Sequence, residues 1–158
     1  MLLSKTLKKP ILSVIALIFV GCATTNLPPA PPSQEMMEQA DQVIITANEN
    51  SQKLYKDFAQ YLSSKGFSFK NTNESLMTLQ TANKLSQKKR GFRIYYRVNA
   101  SVIDSTIQLS GIVAYPAANE DEAANTGGKN NEPRVAWNHI VELAKNYPEA
   151  KQILYKRN

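Results

Sequence analysis

Between residues 92 and 102 apolar and polar side chains alternate without a break. Phe92, Ile94, Tyr96, Val98, Ala100 and Val102 are interleaved with Arg93, Tyr95, Arg97, Asn99 and Ser101. Successive side chains of a strand point to opposite faces, so this period of two predicts a strand with one face in the core and the other in water. A tight turn at Asp104 and Ser105 then returns the chain through Ile107, Leu109, Gly111, Val113 and Tyr115, again apolar at every second position. Upstream, Phe67 and Phe69 alternate with Ser68 and Lys70, the polar turn 71–75 follows, and residues 76–82 supply another strand, which makes a hairpin. The basic segment 84–91 reads as the turn that leads into the long strand.

Elsewhere the period lengthens to that of a helix. Leu54, Phe58, Tyr61 and Leu62 fall on one stripe with Tyr55 at its flank, after a cap at Asn50 or Ser51 and before a terminating Gly66. A second stripe of Val135, Trp137, Ile140, Val141 and Ala144 follows Pro133, which suits a first helical turn. Pro148 ends that helix, and a short final helix is expected to run to Asn158. The β-branched run 43–46 reads as a strand, with a helix over 35–45 as its competitor, and residues 116–132 lack any apolar period and read as a mobile loop. The expected fold is therefore α+β in the order β-α-β-β-β-β-α. In it, an antiparallel sheet of four to five strands is covered on one face by two helices, so that each layer buries the apolar side of the other.

The first 34 residues break this pattern. Lys5, Lys8 and Lys9 precede the apolar run 11–20, which has signal-peptide length. Ten helical residues rise only about 15 Å, roughly half of a bilayer's hydrocarbon core, so a stable membrane span is the wrong reading. Phe19-Val20-Gly21-Cys22-Ala23 follows and resembles the lipobox of bacterial lipoproteins, with Phe19 where leucine is the usual residue. The resemblance implies removal of residues 1–21 and attachment of a diacylglyceryl group to the Cys22 sulfur, with acylation of the new amine in Gram-negative cells. An ordinary signal-peptidase site after Ala23 is the alternative. No Asp follows Cys22 closely, which by the sorting rule of enterobacterial lipoproteins favours the outer membrane and a periplasm-facing domain. Residues 22–34, with Pro28, Pro29, Pro31 and Pro32, read as an extended tether, and 35–158 as a single domain.

Composition adds limits. At 42% hydrophobic and 20% charged, the chain is that of a globular protein with a true core. Without Lys5, Lys8 and Lys9 the formal charge of +6 falls to +3, too little to point to nucleic acid as a partner. A single cysteine allows neither an internal disulfide nor a thiolate metal cluster, and one histidine, His139, excludes a His-rich metal site. Neither a nucleophile with its base nor a catalytic carboxylate pair emerges from the pattern, so no catalytic residues, metal or cofactor are expected beyond the covalent lipid on Cys22. His139 reads as a partly exposed structural residue, the run Glu120-Asp121-Glu122 as a solvated stretch of loop, and Gly127-Gly128 lacks the context of a phosphate loop. One surface stands out. Arg93, Tyr95 and Arg97 share the polar face of the long strand just after Lys88, Lys89 and Arg90, forming a candidate basic, aromatic patch for an anionic partner.

With the lipobox, the Pro-rich segment, the helix ending in KGFSF, the strand MTLQT and the helix carrying Trp137, the chain resembles small envelope lipoproteins with TBP-like or helix-grip domains, such as the BamC-like lipoproteins of the β-barrel assembly machinery. That resemblance implies a non-catalytic interaction protein. The expected partners are the membrane, through the lipid, and another envelope protein. A lipid- or glycan-binding module is the alternative, and an envelope enzyme a further one.

Overall fold

The computed structural model describes residues 27–89, 91–115 and 119–158; the expected signal peptide, Cys22 and Arg90 lie outside the described residues. Within them, the alternation read from the sequence sets the two longest strands, β6 (Phe92–Ile103) and β7 (Thr106–Ala114). They pair antiparallel from Tyr95 opposite Ala114 to Ile103 opposite Thr106. Asp104 makes the reversal between them with φ 52°, a left-handed conformation that aspartate tolerates better than most residues. Ile94, Tyr96, Val98, Ala100 and Val102 are buried, as are Ile107, Leu109 and Val113. Phe92 departs from the expected pattern: it is 62% exposed at the strand's outer end.

The other strands assemble around this pair. They are β1 (Ala30–Ser33), β2 (Gln42–Thr46), β3 (Phe69–Asn73), β4 (Thr78–Thr81), β5 (Lys84–Lys89), β8 (Glu120–Glu122) and β9 (Gln152–Arg157). The main path runs β1-β9-β2-β7-β6-β4-β3, with β5 on β6 and β8 on β7, and every pairing is antiparallel. The α+β class stands, but among the described residues the sheet has nine strands rather than four to five.

Each added strand corrects a particular expectation. The expected final helix is β9, in which Ile153 and Tyr155 alternate with Leu154 and Lys156 and which fits between β1 and β2. The expected basic turn is β5, a lysine-bearing edge strand of the kind that discourages further pairing. In the expected mobile loop, Glu120–Glu122 forms β8. Part of the expected tether is β1: Ala30 lies opposite Arg157, with the register slipping across Pro31 and Pro32. Proline is tolerated there because the strand is at the sheet's edge, where a missing N–H leaves no gap in the ladder. Leu27 is pinned as well, its N–H donating to Gln39 Oε1 at 2.8 Å, so the sheet takes in residues that the sequence assigns to the tether.

The two helices cover one face. In α1 (Ser51–Ser64) the Asn50 side chain caps Lys53 N–H at 3.0 Å. Gly66, at φ 76°, ends it in a Schellman motif, in which Gly66 N–H reaches Ser63 C=O and Phe67 N–H reaches Leu62 C=O. Leu54, Phe58 and Leu62 enter the core. From α2 (Glu132–Lys145), Ala136, Trp137, Ile140 and Ala144 enter the same core, while Val135 stays half-buried and Leu143 takes a buried place. Gly111 lets α2 approach β7 this closely. A Cβ there would stand 2.1 Å from Ile140 Cδ1, so the missing side chain makes room for the isoleucine.

Tyr61 ties the helices together by donating its hydroxyl to Leu143 C=O at 2.8 Å. Tyr147 packs against Tyr61 and edge-on to Phe58, each at 5.2 Å between ring centroids. Its hydroxyl is buried without a partner, and burial pushes its pKa from 10.0 up to about 12, with Asp57 adding to the rise. A tyrosine pKa raised by folding contributes stability that is complete below the unfolded value and is lost as pH climbs through the folded one. Tyr147→Phe is therefore expected to hold or slightly raise stability at neutral pH, by up to about 1 kcal/mol, since it removes an unsatisfied polar atom. The same variant should lose less stability than the parent between pH 10 and about 12. Urea midpoints followed across that interval check both statements.

Candidate functional site: the uncovered face of the sheet

Because residues opposite one another in a ladder share a face, the registers show what lies on the side away from the helices. Arg93, Tyr95 and Arg97, alternate residues of β6, all fall there: Arg93 is exposed, and Tyr95 and Arg97 are half-buried. The structure thus brings the three together as the sequence suggests, but it changes their electrostatics. The Arg97 guanidinium makes a two-pronged ion pair with Glu120, at 2.6 and 2.7 Å, and its side chain is only 11% exposed. The hydrogen bond from Arg97 holds the Glu120 carboxyl below its ordinary pKa. Strand β8 produces this pairing by setting Glu120 opposite Ala114, next to the row that carries Arg97. One member of the basic patch and one of the acidic run, read separately from the sequence, thus neutralise each other.

The larger feature of this face escaped the sequence. Asn71 lies opposite Gln80, Gln80 opposite Asn99, and Asn99 opposite Ser110, while on β2 Gln42 lies opposite Lys156 of β9. Val43 opposite Leu109 places Gln42 one step along, at the level of Ser110. The result is a row of amides and a hydroxyl running across five strands, with Lys156 at its β9 end. Beside it run Gln108, Ser101 and Thr78, each opposite the next. Gln80 Nε2 donates to Asn99 Oδ1 at 2.9 Å, and Gln42 Nε2 donates to Gln108 Oε1 at 3.3 Å. Gln42 Oε1 is buried and has no hydrogen-bond partner.

Two shallow depressions, of about 300 and 410 Å³, lie along this row and share Gln42, Asn99 and Ser110 in their linings. The first is lined entirely by uncharged residues, from Asn71 to Gln108. The second continues towards Asp41, Glu122 and Asn158. Together they form one trough, uncharged over most of its length and acidic at one end. The period of two told which side Asn99 and Ser101 occupy; the row itself depends on registers between strands far apart in the sequence.

On the covered side, His139 stacks on Tyr96, with centroids 4.9 Å apart and rings 18° from parallel. Burial pushes the Tyr96 pKa up to about 12, with Glu142 contributing. The cleft beside them holds two lysines whose charges are engaged locally. Lys84 Nζ donates to Lys65 C=O at 2.5 Å and sits 4.1 Å over the Phe67 ring, and Lys65 lies over Tyr61. Among the described residues no group of three or more His, Cys, Asp or Glu side chains is placed to hold a metal ion, and no helix is long and apolar enough to cross a membrane.

No protein-family model matches this chain, and no curated protein matches it. Its structure is similar to that of a DUF4468 family protein from Bacteroides ovatus. That match has a TM-score of 0.37 and 10% sequence identity, and covers 68% of this chain and 85% of the other. It is also similar to a TBP-like protein from Parabacteroides distasonis, with a TM-score of 0.37 and 13% identity over 73% of this chain and 99% of that one.

Proposed function

We propose that this protein is a lipid-anchored, non-catalytic binding accessory of the bacterial envelope. In this reading Cys22 holds it at the periplasmic face of the outer membrane, and the uncovered face of the sheet engages another envelope component. The observation that carries the proposal is one-sided packing: α1 and α2 contribute to a single core on one face, and among the described residues no layer covers the troughed polar face.

The docking of β1 bears on geometry. Leu27 is already fixed to the domain, and the Arg157 guanidinium donates to Pro28 C=O at 2.5 Å. Five residue steps separate Cys22 from Leu27, a reach of at most about 18 Å. A lipid on Cys22 would therefore keep the end of the sheet that carries Ala30 and Arg157 close to the bilayer, with the Asp104 turn at the far end.

Photo-crosslinking residues at Ser101 and Ser110, compared with Lys56 and Gln60 on the outward side of α1, test the reading in intact cells. Adducts are expected from the first pair and not from the second. Equal labelling from both faces, or adducts from α1 alone, would remove the assignment.

A further inference from the structure

We infer that the trough on the uncovered face binds an extended, uncharged glycan chain lying across the strands; this rests on the proposal that the face is the binding surface. The first argument is chemical. Gln42, Ser110, Asn99, Gln80 and Asn71 carry no formal charge, and each both donates and accepts hydrogen bonds. A sugar hydroxyl also does both, so the row can match a polyhydroxylated chain whichever way each hydroxyl turns. An anionic polymer would call for cations along the trough, whereas the first depression is lined by uncharged residues and the second adds, as charged residues, only the acidic Asp41 and Glu122. Docking of a folded protein concentrates its energy in buried aromatic and arginine anchors, which the lining of the first depression lacks. A lipid would need an apolar floor, and the lining there is mostly amide and hydroxyl, with Leu79 and Ala100 the exceptions.

The second argument is spacing. Neighbouring strands lie about 4.8 Å apart, so the row offers one polar group per step over roughly 20 Å. That step is close to the rise per ring of an extended β-linked glycan, so consecutive rings can meet consecutive strands in register. The two depressions are continuous through Gln42, Asn99 and Ser110, which suits a linear chain better than a compact small molecule. Third, Gln42 Oε1 is buried without a hydrogen-bond partner at the point where they join. A buried acceptor left unsatisfied is costly, and a ligand hydroxyl would satisfy it.

The test uses the full chain in detergent, with its side-chain amide resonances followed by NMR while chitopentaose, cellopentaose and, as an anionic control, a heparin pentasaccharide are added. At least one neutral pentasaccharide is expected to shift the Gln42, Gln80 and Asn99 amides saturably, more strongly than the corresponding disaccharide, while heparin leaves them unmoved. The double variant Gln42→Ala with Asn99→Ala should weaken binding at least tenfold. A milder variant, Gln42→Glu, keeps the side chain's length while replacing its donors, and should weaken binding without altering the backbone spectrum. Absence of shifts from every neutral chain, or shifts confined to residues off the trough, would overturn the glycan assignment. If that happened while Ser101 and Ser110 still crosslinked to an envelope protein, the binding face would stand with a different ligand; silence in both experiments would remove both readings.

Discussion

Replacing Cys22 with serine is expected to abolish incorporation of a palmitate label and to leave a longer precursor that still carries residues 1–21. The argument is chemical before it is structural. A serine hydroxyl cannot replace the thiolate as the nucleophile that takes up the diacylglyceryl group, and the lipoprotein pathway cuts only after that step. Each buried CH₂ contributes about 0.8 kcal/mol to membrane affinity; one acyl chain binds reversibly, whereas two or three bind for practical purposes permanently. The variant should therefore change from a protein released only by detergent to one that alkali or high salt extracts, because the apolar run 11–20 is too short to span. Label retained in the serine variant, or unchanged cleavage with unchanged extraction, would rule out the lipobox reading. A shift in cleavage to the bond after Ala23 would favour the ordinary signal-peptidase alternative.

The docked β1 makes a second readout available from the same anchor. With Leu27, Pro28 and Ala30 bound to the domain, a lipid on Cys22 would have only a short reach to the sheet, and lengthening that reach should change which envelope components meet the trough without changing the fold. A long free tether would make such an insertion almost silent.

What could be read from the sequence follows from where each signal resides. The β6–β7 hairpin and the apolar stripes of both helices are local patterns, long enough to outweigh chance, and they appear where expected apart from Phe92 at a strand end. Strand β9 reads as a short helix in the sequence because six residues with an apolar Ile-Leu-Tyr run fit a helix as well as a strand. Its partner β2 lies over a hundred residues away. Strands β1, β5 and β8 carry proline, lysine and acidic residues that ordinarily mark tethers and turns, and they form because neighbouring strands already present open edges. The site divides in the same way. The common face of Arg93, Tyr95 and Arg97 follows from period two, whereas the neutralising Glu120 stands 23 residues from Arg97 and needed β8 to bring it near. The amide row is the extreme case, being a property of four registers and of no single segment.

Trp137→Ala is expected to be the most damaging single change within the described domain, at about 3–5 kcal/mol. Trp137 is fully buried, sits in α2, and its ring centroid lies 6.4 Å from that of Tyr155 in β9, so its removal opens a cavity between helix and sheet. Since a domain of this size is stable by only about 5–15 kcal/mol, a loss of that order would leave the variant close to unfolding at physiological temperature. The indole N–H has no hydrogen-bond partner, so Trp137→Phe removes an unsatisfied donor while losing less volume, and should cost distinctly less than alanine. Urea unfolding of the three proteins measures the difference; an alanine variant that loses under about 1 kcal/mol would show that α2 is not the principal cover of β2, β7 and β9. Hydrogen exchange should localise the damage, with β9 and β1 losing protection before β6, because those strands owe their place to the half of the core that Trp137 fills. The trough lies on the opposite side of the sheet. Any effect of Trp137→Ala on ligand binding should therefore track the folded fraction, whereas Gln42→Ala should change binding in a protein whose stability is nearly unaltered, and that contrast separates scaffold from recognition surface.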